Sequence, residues 1–491
     1  MSFLNQWNYF LALGPQAILT TFAIGILLFG VSSNNTSDKH QGWLLGRISL
    51  VGVVVAGIVN AGLYPFADRL SDGIVALDRY TLFSNWVLLL GSAMAILISI
   101  SYVEKQRVQV PEYFALLLFS TVGLMLMTAS LDLMLVFIGL EIASISVYAL
   151  ATIDQRSPKG SEAGLKYFLL GAFSTGIFLY GVALIYGSTG SANLTEILNA
   201  TVHADDTGVM LITGVIMLAV GFCFKVGVVP FHMWTPDVYQ GSPMPITGYM
   251  SVAIKAGAFF TFYRIFGIYL DNIQFSWATV FWWLALVTMI GANLVALVQD
   301  NIKRLLAYSG IAHSGYLLIT VLANNTTSES GLLYYLAVYT VANMGLFAGF
   351  VLVANHAEHR VEVSDYAGLG SKQPFIAIAL TVFLLSLGGF PATGGFIGKI
   401  LILRGALEDN YLSLAIALVI STLVSYWYYL RLAWFMWMKE KPATPNTEKA
   451  PEIEIPLVLK LVLAVSLVLI VYAGIFPSQL IGFIETSLLK G

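Results

Sequence analysis

Apolar stretches of about 20 residues follow one another along the whole chain, separated by short polar breaks, and each is long enough to cross roughly 30 Å of hydrocarbon as a helix. About fourteen such segments can be marked, starting near residues 13, 43, 80, 111, 130, 163, 208, 245, 275, 302, 330, 374, 411 and 456. Lipid offers the backbone no hydrogen-bond partners, so this pattern leaves an all-α polytopic membrane protein as the fold class. Composition agrees: the chain is 58% apolar and only 10% charged, with a mean hydropathy of +0.82. Soluble domains carry about 25% charged residues.

The same composition excludes several functions. A single cysteine, Cys223, rules out an internal disulfide framework and any zinc or iron–sulfur site that needs several thiolates. A net charge of -3 without a basic run gives no basis for nucleic-acid binding. The pair His356 and His359 has no third ligand in sequence reach, so no metal site is expected. No Gly-rich nucleotide loop is present. The first ten residues contain no Lys or Arg and so lack the basic region of a cleaved signal, which predicts that the first apolar segment stays as a helix.

Cytoplasmic loops are enriched in Lys and Arg. Loops after odd-numbered segments hold thirteen of them, including Lys105, Arg156, Lys159, Lys303, Arg304 and Lys372. Loops after even-numbered segments and the C-terminal tail hold five: Arg69, Arg79, Arg264, Arg404 and Lys490. That asymmetry places both termini on the outer face and requires an even number of crossings.

Segments 7 (208 to about 236) and 12 (374 to about 406) exceed a plain crossing, and each contains a Gly/Pro interruption, which predicts two broken helices. KVGVVP (Lys225 to Pro230) and SLGGFP (Ser386 to Pro391) align at a separation of 161 residues, and SISVYAL (Ser144 to Leu150) and AHSGYLL (Ala312 to Leu318) at 168. Two five-helix units account for both offsets. An odd unit re-enters from the opposite side, so the pattern is an inverted repeat of transporter type. The expected organisation is residues 1–110 for helices 1–3, 111–270 for the first repeat, 271–440 for the second, and 441–491 for a connector and helix 14.

Within these apolar segments stand Glu141, Lys225, Lys255 and Lys399. A charge at the bilayer centre costs roughly 2.5 to 3.5 kcal/mol on insertion scales, so such residues mark a polar route between helices. Glu141 and Lys225 are expected to pair, as a switchable charge pair or as a static one that only fixes packing. Lys255, with no acid on its own segment, reads as a relay. His313 suits proton transfer, and equally an interhelical hydrogen bond to nearby hydroxyls. Lys399 follows the second break and would end the route. Lys166 and His232 lie nearer the segment ends, where snorkelling is the cheaper account of the lysine.

The segments ISLVG, LVFIGLEIASISVYAL, EAGLKYFLLGAFSTGIFLYG, FKVGVVPFHMWTPDVYQGSP and LLSLGGFPATGGFIGK resemble the subunit N family of bacterial proton-pumping NADH-quinone oxidoreductase, respiratory complex I. The resemblance covers essentially the whole chain. It implies fourteen helices in an antiporter-like fold with two inverted five-helix bundles. It also implies that Glu141 and Lys225 form the pair on the input side, with Lys255 as central relay and Lys399 as exit. NAD, FMN, iron–sulfur clusters and quinone would then be handled by partner subunits, with no cofactor on this chain. The implied partners are neighbouring antiporter-like and small membrane subunits and the lipid of a bacterial inner membrane. Lys399 argues against the related subunit M, which carries Glu there. Two other readings stay open on the residues alone: a cation/proton antiporter subunit, and a structural membrane subunit with static buried charges.

Overall fold

The computed structural model describes residues 9, 11–32, 39–67, 73–106, 111–154, 156–202, 208–354, 358, 360–439 and 456–489. The connector before the last segment and the pair His356 and His359 fall outside them. Among the described residues, β-structure is limited to isolated bridges. The long helices are α1 Gly14–Ser32, α2 Lys39–Gly62, α3 Arg79–Gln106, α4 Pro111–Ala129, α5 Leu133–Ala151 and α6 Pro158–Thr189. They continue as α7 Val209–Val226, α8 Met244–Tyr269, α9 Ala278–Ala296, α10 Ile302–Ala323 and α11 Thr326–Val353. After α12, in two halves Pro374–Gly388 and Gly394–Glu408, come α13 Leu412–Met438, α14 Leu457–Ile475 and the short α15 Pro477–Glu485.

Thirteen of these helices are long and apolar enough to cross a membrane. The expected fourteenth is α12, whose two halves of 15 residues each fall short alone. Both predicted breaks are present. α7 stops at Gly227 (φ 73°) and resumes as Trp234–Gly241, and α12 stops at Gly389 (φ 84°) and resumes at Gly394. A left-handed backbone there is open to glycine at no steric cost and ends each half-helix cleanly. The stop in α12 comes one residue later than the alignment of KVGVVP with SLGGFP implies. The second of the paired glycines, not the first, takes the left-handed conformation.

Local sequence sets the ends. Asp132 caps α5 by accepting from Met134 N at 2.9 Å and Leu135 N at 3.1 Å, and Asn301 and Asn325 cap α10 and α11 in the same way. Close packing then depends on missing side chains. At the α4–α5 crossing, a Cβ on Gly123 would lie 2.5 Å from Ala143 N, and one on Gly139 would lie 2.8 Å from Met127 N. α8, α10 and α11 are almost wholly enclosed by the other helices, whereas α1 and α14 keep most of their surface outward. α8 is not uniform: π-helical turns Met250–Ile254 and Tyr263–Tyr269 flank an α-helical stretch that begins at Lys255.

Gly123→Val should therefore force α4 and α5 apart. Overpacking of this kind costs about 1–3 kcal/mol, and the expected outcome is a lower thermal midpoint of the detergent-purified chain, with Gly25→Val, where nothing lies within 4 Å, as the silent control.

Candidate functional site

Of the residues marked by the sequence, Lys255 and His313 sit on the enclosed helices α8 and α10, Lys225 and Lys399 beside the breaks of α7 and α12, and Glu141 on α5. Lys225, Lys255, Lys399 and His313 are 6%, 5%, 4% and 1% exposed. Lys225 sits in the last turn of α7, directly before the break. Its ammonium lies 3.3 Å from the Tyr148 hydroxyl and 5.3 and 5.8 Å from the ring centres of Tyr148 and Tyr167. Such rings attract a cation through their π faces. The break beside it is stitched by neutral donors: Trp234 Nε1 donates to Phe224 O at 2.9 Å, Ser314 Oγ to Val226 O at 2.5 Å, and Val229 N to Thr288 Oγ1 at 3.0 Å.

Further along, Lys255 on α8 donates to the carbonyl of Gly310 on α10 and lies 5.6 Å from the ring centre of Tyr339. His313, three residues beyond Gly310, is held at both ring nitrogens. Nδ1 meets the Tyr335 hydroxyl and Nε2 the Tyr429 hydroxyl, the latter at 3.0 Å. Tyr429 also hydrogen-bonds Ser309. Lys399, in the second half of α12, donates to Gly388 O at 2.9 Å and lies 5.0 Å from the Tyr316 ring centre. His313 lies within electrostatic range of both Lys255 and Lys399. Lys255, His313 and Lys399 thus form one buried cluster threaded by phenols, and Lys225 stands in a phenolic cage at the neighbouring break.

The expected contact between Glu141 and Lys225 is not made. No ion pair within 4.0 Å joins them, Glu141 Oε1 is buried without a hydrogen-bond partner, and Glu141 reaches Lys225 only through longer-range attraction. The reason is register on α5. Lys225 is level with Tyr148, seven residues past Glu141, and seven residues of helix rise about 10 Å. Glu141 and Tyr148, seven residues apart, share one face of α5, so they differ in height along the helix and not in direction.

Lys166 is not part of the buried row. Its ammonium bridges Glu162 at 2.7 Å and Asp237 at 2.8 Å, and Asp237 also takes Arg304 at 2.7 Å. These ion pairs form on a lysine side chain that stays 43% exposed. Burial raises the Asp237 carboxyl, but the hydrogen bonds from Lys166 and Arg304 outweigh it and hold the group below the usual carboxylate range. His232 lies within the α7 break, its ring 6.4 Å from that of Tyr308 and its Nδ1 buried without a partner. Sequence reading missed the tyrosines 148, 167, 316, 335, 339 and 429. The i, i+4 spacing of Tyr335 and Tyr339 places both on one face of α11, the one signal that pointed inward.

The family described as NADH:quinone oxidoreductase/Mrp antiporter, transmembrane, matches residues 130–425, which contain every residue of this row. The chain is 41% identical over 475 residues to an NADH-quinone oxidoreductase subunit N of Trichlorobacter lovleyi, covering 96% of each. It belongs to the NADH-quinone oxidoreductase subunit N family. A subunit N 1 of Herpetosiphon aurantiacus is 38% identical over 90% of each chain. Among solved structures, a chain of respiratory complex I from Thermus thermophilus superimposes with a TM-score of 0.80 at 30% identity, covering 96% of this chain and 100% of that one. A chain of the Mrp complex from Dietzia sp., at 20% identity and a TM-score of 0.82 over 96% of each, shares the fold.

Tyr335→Phe should leave His313 Nδ1 without its hydroxyl partner while keeping the packing. The expected result is a several-fold loss of proton translocation, measured in vesicles, with the assembled amount of the chain unchanged.

Proposed function

We propose that this chain, a membrane subunit of NADH-quinone oxidoreductase, carries protons along Glu141, Lys225, Lys255, His313 and Lys399. The observation that supports it is the buried row itself: three lysines and a histidine held by phenols and backbone carbonyls, two of them on the most enclosed helices and two beside the helix breaks. In this reading NADH oxidation and quinone reduction belong to partner subunits, which also hold NAD, FMN and iron–sulfur clusters, and this chain answers them through charge. Glu141 is the input-side group. Its carboxylate attracts the Lys225 ammonium from beyond contact distance, so a change of charge next to Glu141 alters that attraction without breaking a direct bond. Lys225, whose immediate partners are neutral, gives up or takes a proton as the attraction changes. Lys255 relays, His313 bridges the two lysines it faces, and Lys399 ends the route. Asp237 ties Lys166 of α6 to Arg304 of α10 and steadies the half-helix that follows the α7 break. His232 borders that break.

The paired breaks and the repeated motifs support a division into two five-helix units, 111–270 and 271–440. Both termini on the outer face follow from the distribution of Lys and Arg.

The static-charge alternative is separated by substitution. In inverted vesicles of the full complex, Lys225→Ala is expected to cut NADH-driven acidification several-fold while NADH oxidation with an artificial acceptor persists. Lys225→Arg keeps the positive charge and its attraction to Glu141, yet stays protonated. It should also fail to pump. Full pumping by the arginine variant would reduce Lys225 to a structural charge.

A further inference from the structure

Beyond α14 the chain turns at Phe476 into α15, and residues 486–489 close on the first turn of α11. There the Glu329 carboxylate, fully buried, accepts the Leu489 backbone N–H at 2.6 Å through Oε1 and the Tyr263 hydroxyl at 3.4 Å through Oε2. Tyr263 belongs to α8 and lies eight residues past Lys255, which is roughly 12 Å along the helix. The same C-terminal run reaches the other end of the lysine cluster. Gly474 of α14 lies so close to the α12 break that a Cβ there would strike the backbone of Ala392 and Thr393, and Tyr334 of α11 donates to Ala473 O at 2.6 Å. Between these contacts, Phe483 of α15 packs on Tyr64 and Phe83, with ring centres 5.9 and 5.8 Å apart. One stretch, Ala473 to Leu489, therefore touches the break before Lys399, the first turn of α11 and, through Glu329, the end of the helix that carries Lys255.

This arrangement closes one face of the bundle with a piece of chain that is otherwise peripheral, since α14 leaves most of its surface outward. Ile484 is fully buried and Leu480, Ile481, Leu488 and Leu489 pack against the core, so the segment has apolar contacts of its own. Its last turn is fixed by the hydrogen bond from Leu489 N to Glu329, and loss of that bond releases the terminal turn while the apolar contacts and the helices beneath it stay packed.

We propose that Glu329 is a positioning residue of the proton route: it latches the C-terminal segment over the ends of α8 and α11, and the latched segment seals that face against passive proton flow. This rests on the proton route proposed above and adds its closure at one face.

The test uses the assembled complex in liposomes carrying Glu329→Ala, Glu329→Gln, or a chain shortened after Glu485. Two quantities are read: passive proton flux under an imposed potassium diffusion potential with no NADH present, and protons pumped per NADH oxidised. Glu329→Ala removes both acceptors and is expected to raise passive flux several-fold and lower the pumping ratio at an unchanged oxidation rate. The shortened chain should do the same, and the two changes together should add nothing to either alone. Glu329→Gln keeps an oxygen for the Leu489 N–H and should stay near the parent protein. Should the alanine variant not assemble, the shortened chain decides. Parent-like flux and ratio in the shortened chain overturn the seal, and a glutamine variant as leaky as the shortened chain overturns the hydrogen-bond latch. If either happens while Lys225→Ala still abolishes pumping, the proton route stands without this closure.

Discussion

Three ammonium groups lie inside an apolar helix bundle, and among the described residues none of them has a carboxylate within ion-pair distance. Burial without a counter-charge is costly, so neutral groups nearby stand in for one. The partners provided are a phenol for Lys225, the Gly310 carbonyl for Lys255 and the Gly388 carbonyl for Lys399. Each also has an aromatic face within about 6 Å, and Lys225 has two. A neutral partner solvates an ammonium without locking it in the charged form as an adjacent carboxylate would. The same shell can therefore accept both protonation states, which a static ion pair cannot.

One helix irregularity answers that condition for Lys399, whereas the Gly310 carbonyl that serves Lys255 lies within continuous α10. A regular helix uses its carbonyls internally, and only the last turn leaves them free. The α12 break creates such an end at Gly388, in the interior, where Lys399 takes the carbonyl. α8 reaches Lys255 immediately after a π-helical turn, a local rearrangement that often accompanies functional residues in membrane and soluble helices alike. The enclosed position of α8, α10 and α11 then keeps the row away from lipid.

Much of this was legible in the sequence. The apolar segments, their approximate starts and the two interruptions are visible because span length and Gly/Pro placement act locally. Buried lysines are visible because a charge in an apolar run is exceptional. Contacts were not. Glu141 and Lys225 both lie mid-segment, but their relative height is set by how whole helices pack, and that packing brings Tyr148, not Glu141, to the ammonium. Tyr316 and Tyr429 carry no sequence signal against a background of 24 tyrosines in the chain, and Tyr335 and Tyr339 only their i, i+4 spacing. Lys303 reads as a loop lysine from its place between two segments, yet its side chain is 3% exposed and paired with Glu358 at 2.6 Å. Whether a residue at a helix end faces water or a neighbouring loop is decided by tertiary packing that no local pattern encodes.

The two breaks show how similar motifs diverge in use. In α7 the freed carbonyls of Phe224 and Val226 are taken by Trp234 and Ser314, so Lys225, which precedes the break, is left to the phenols and to the distant Glu141. In α12 the freed carbonyl of Gly388 receives Lys399, which follows the break, while Tyr426 takes Gly389 O at 2.9 Å. The first lysine is therefore governed by a charge on another helix, and the second by the backbone of its own. At the positions that align with Glu141 and Lys225, the second motif copies carry Ser309 and Ser386. Ser309 hydrogen-bonds Tyr429, and Ser386 Oγ accepts from Gly395 N at 3.1 Å across the second break. The two breaks thus leave Lys225 under the longer-range attraction of Glu141 and Lys399 on the carbonyl of Gly388, although the motifs that frame them are alike.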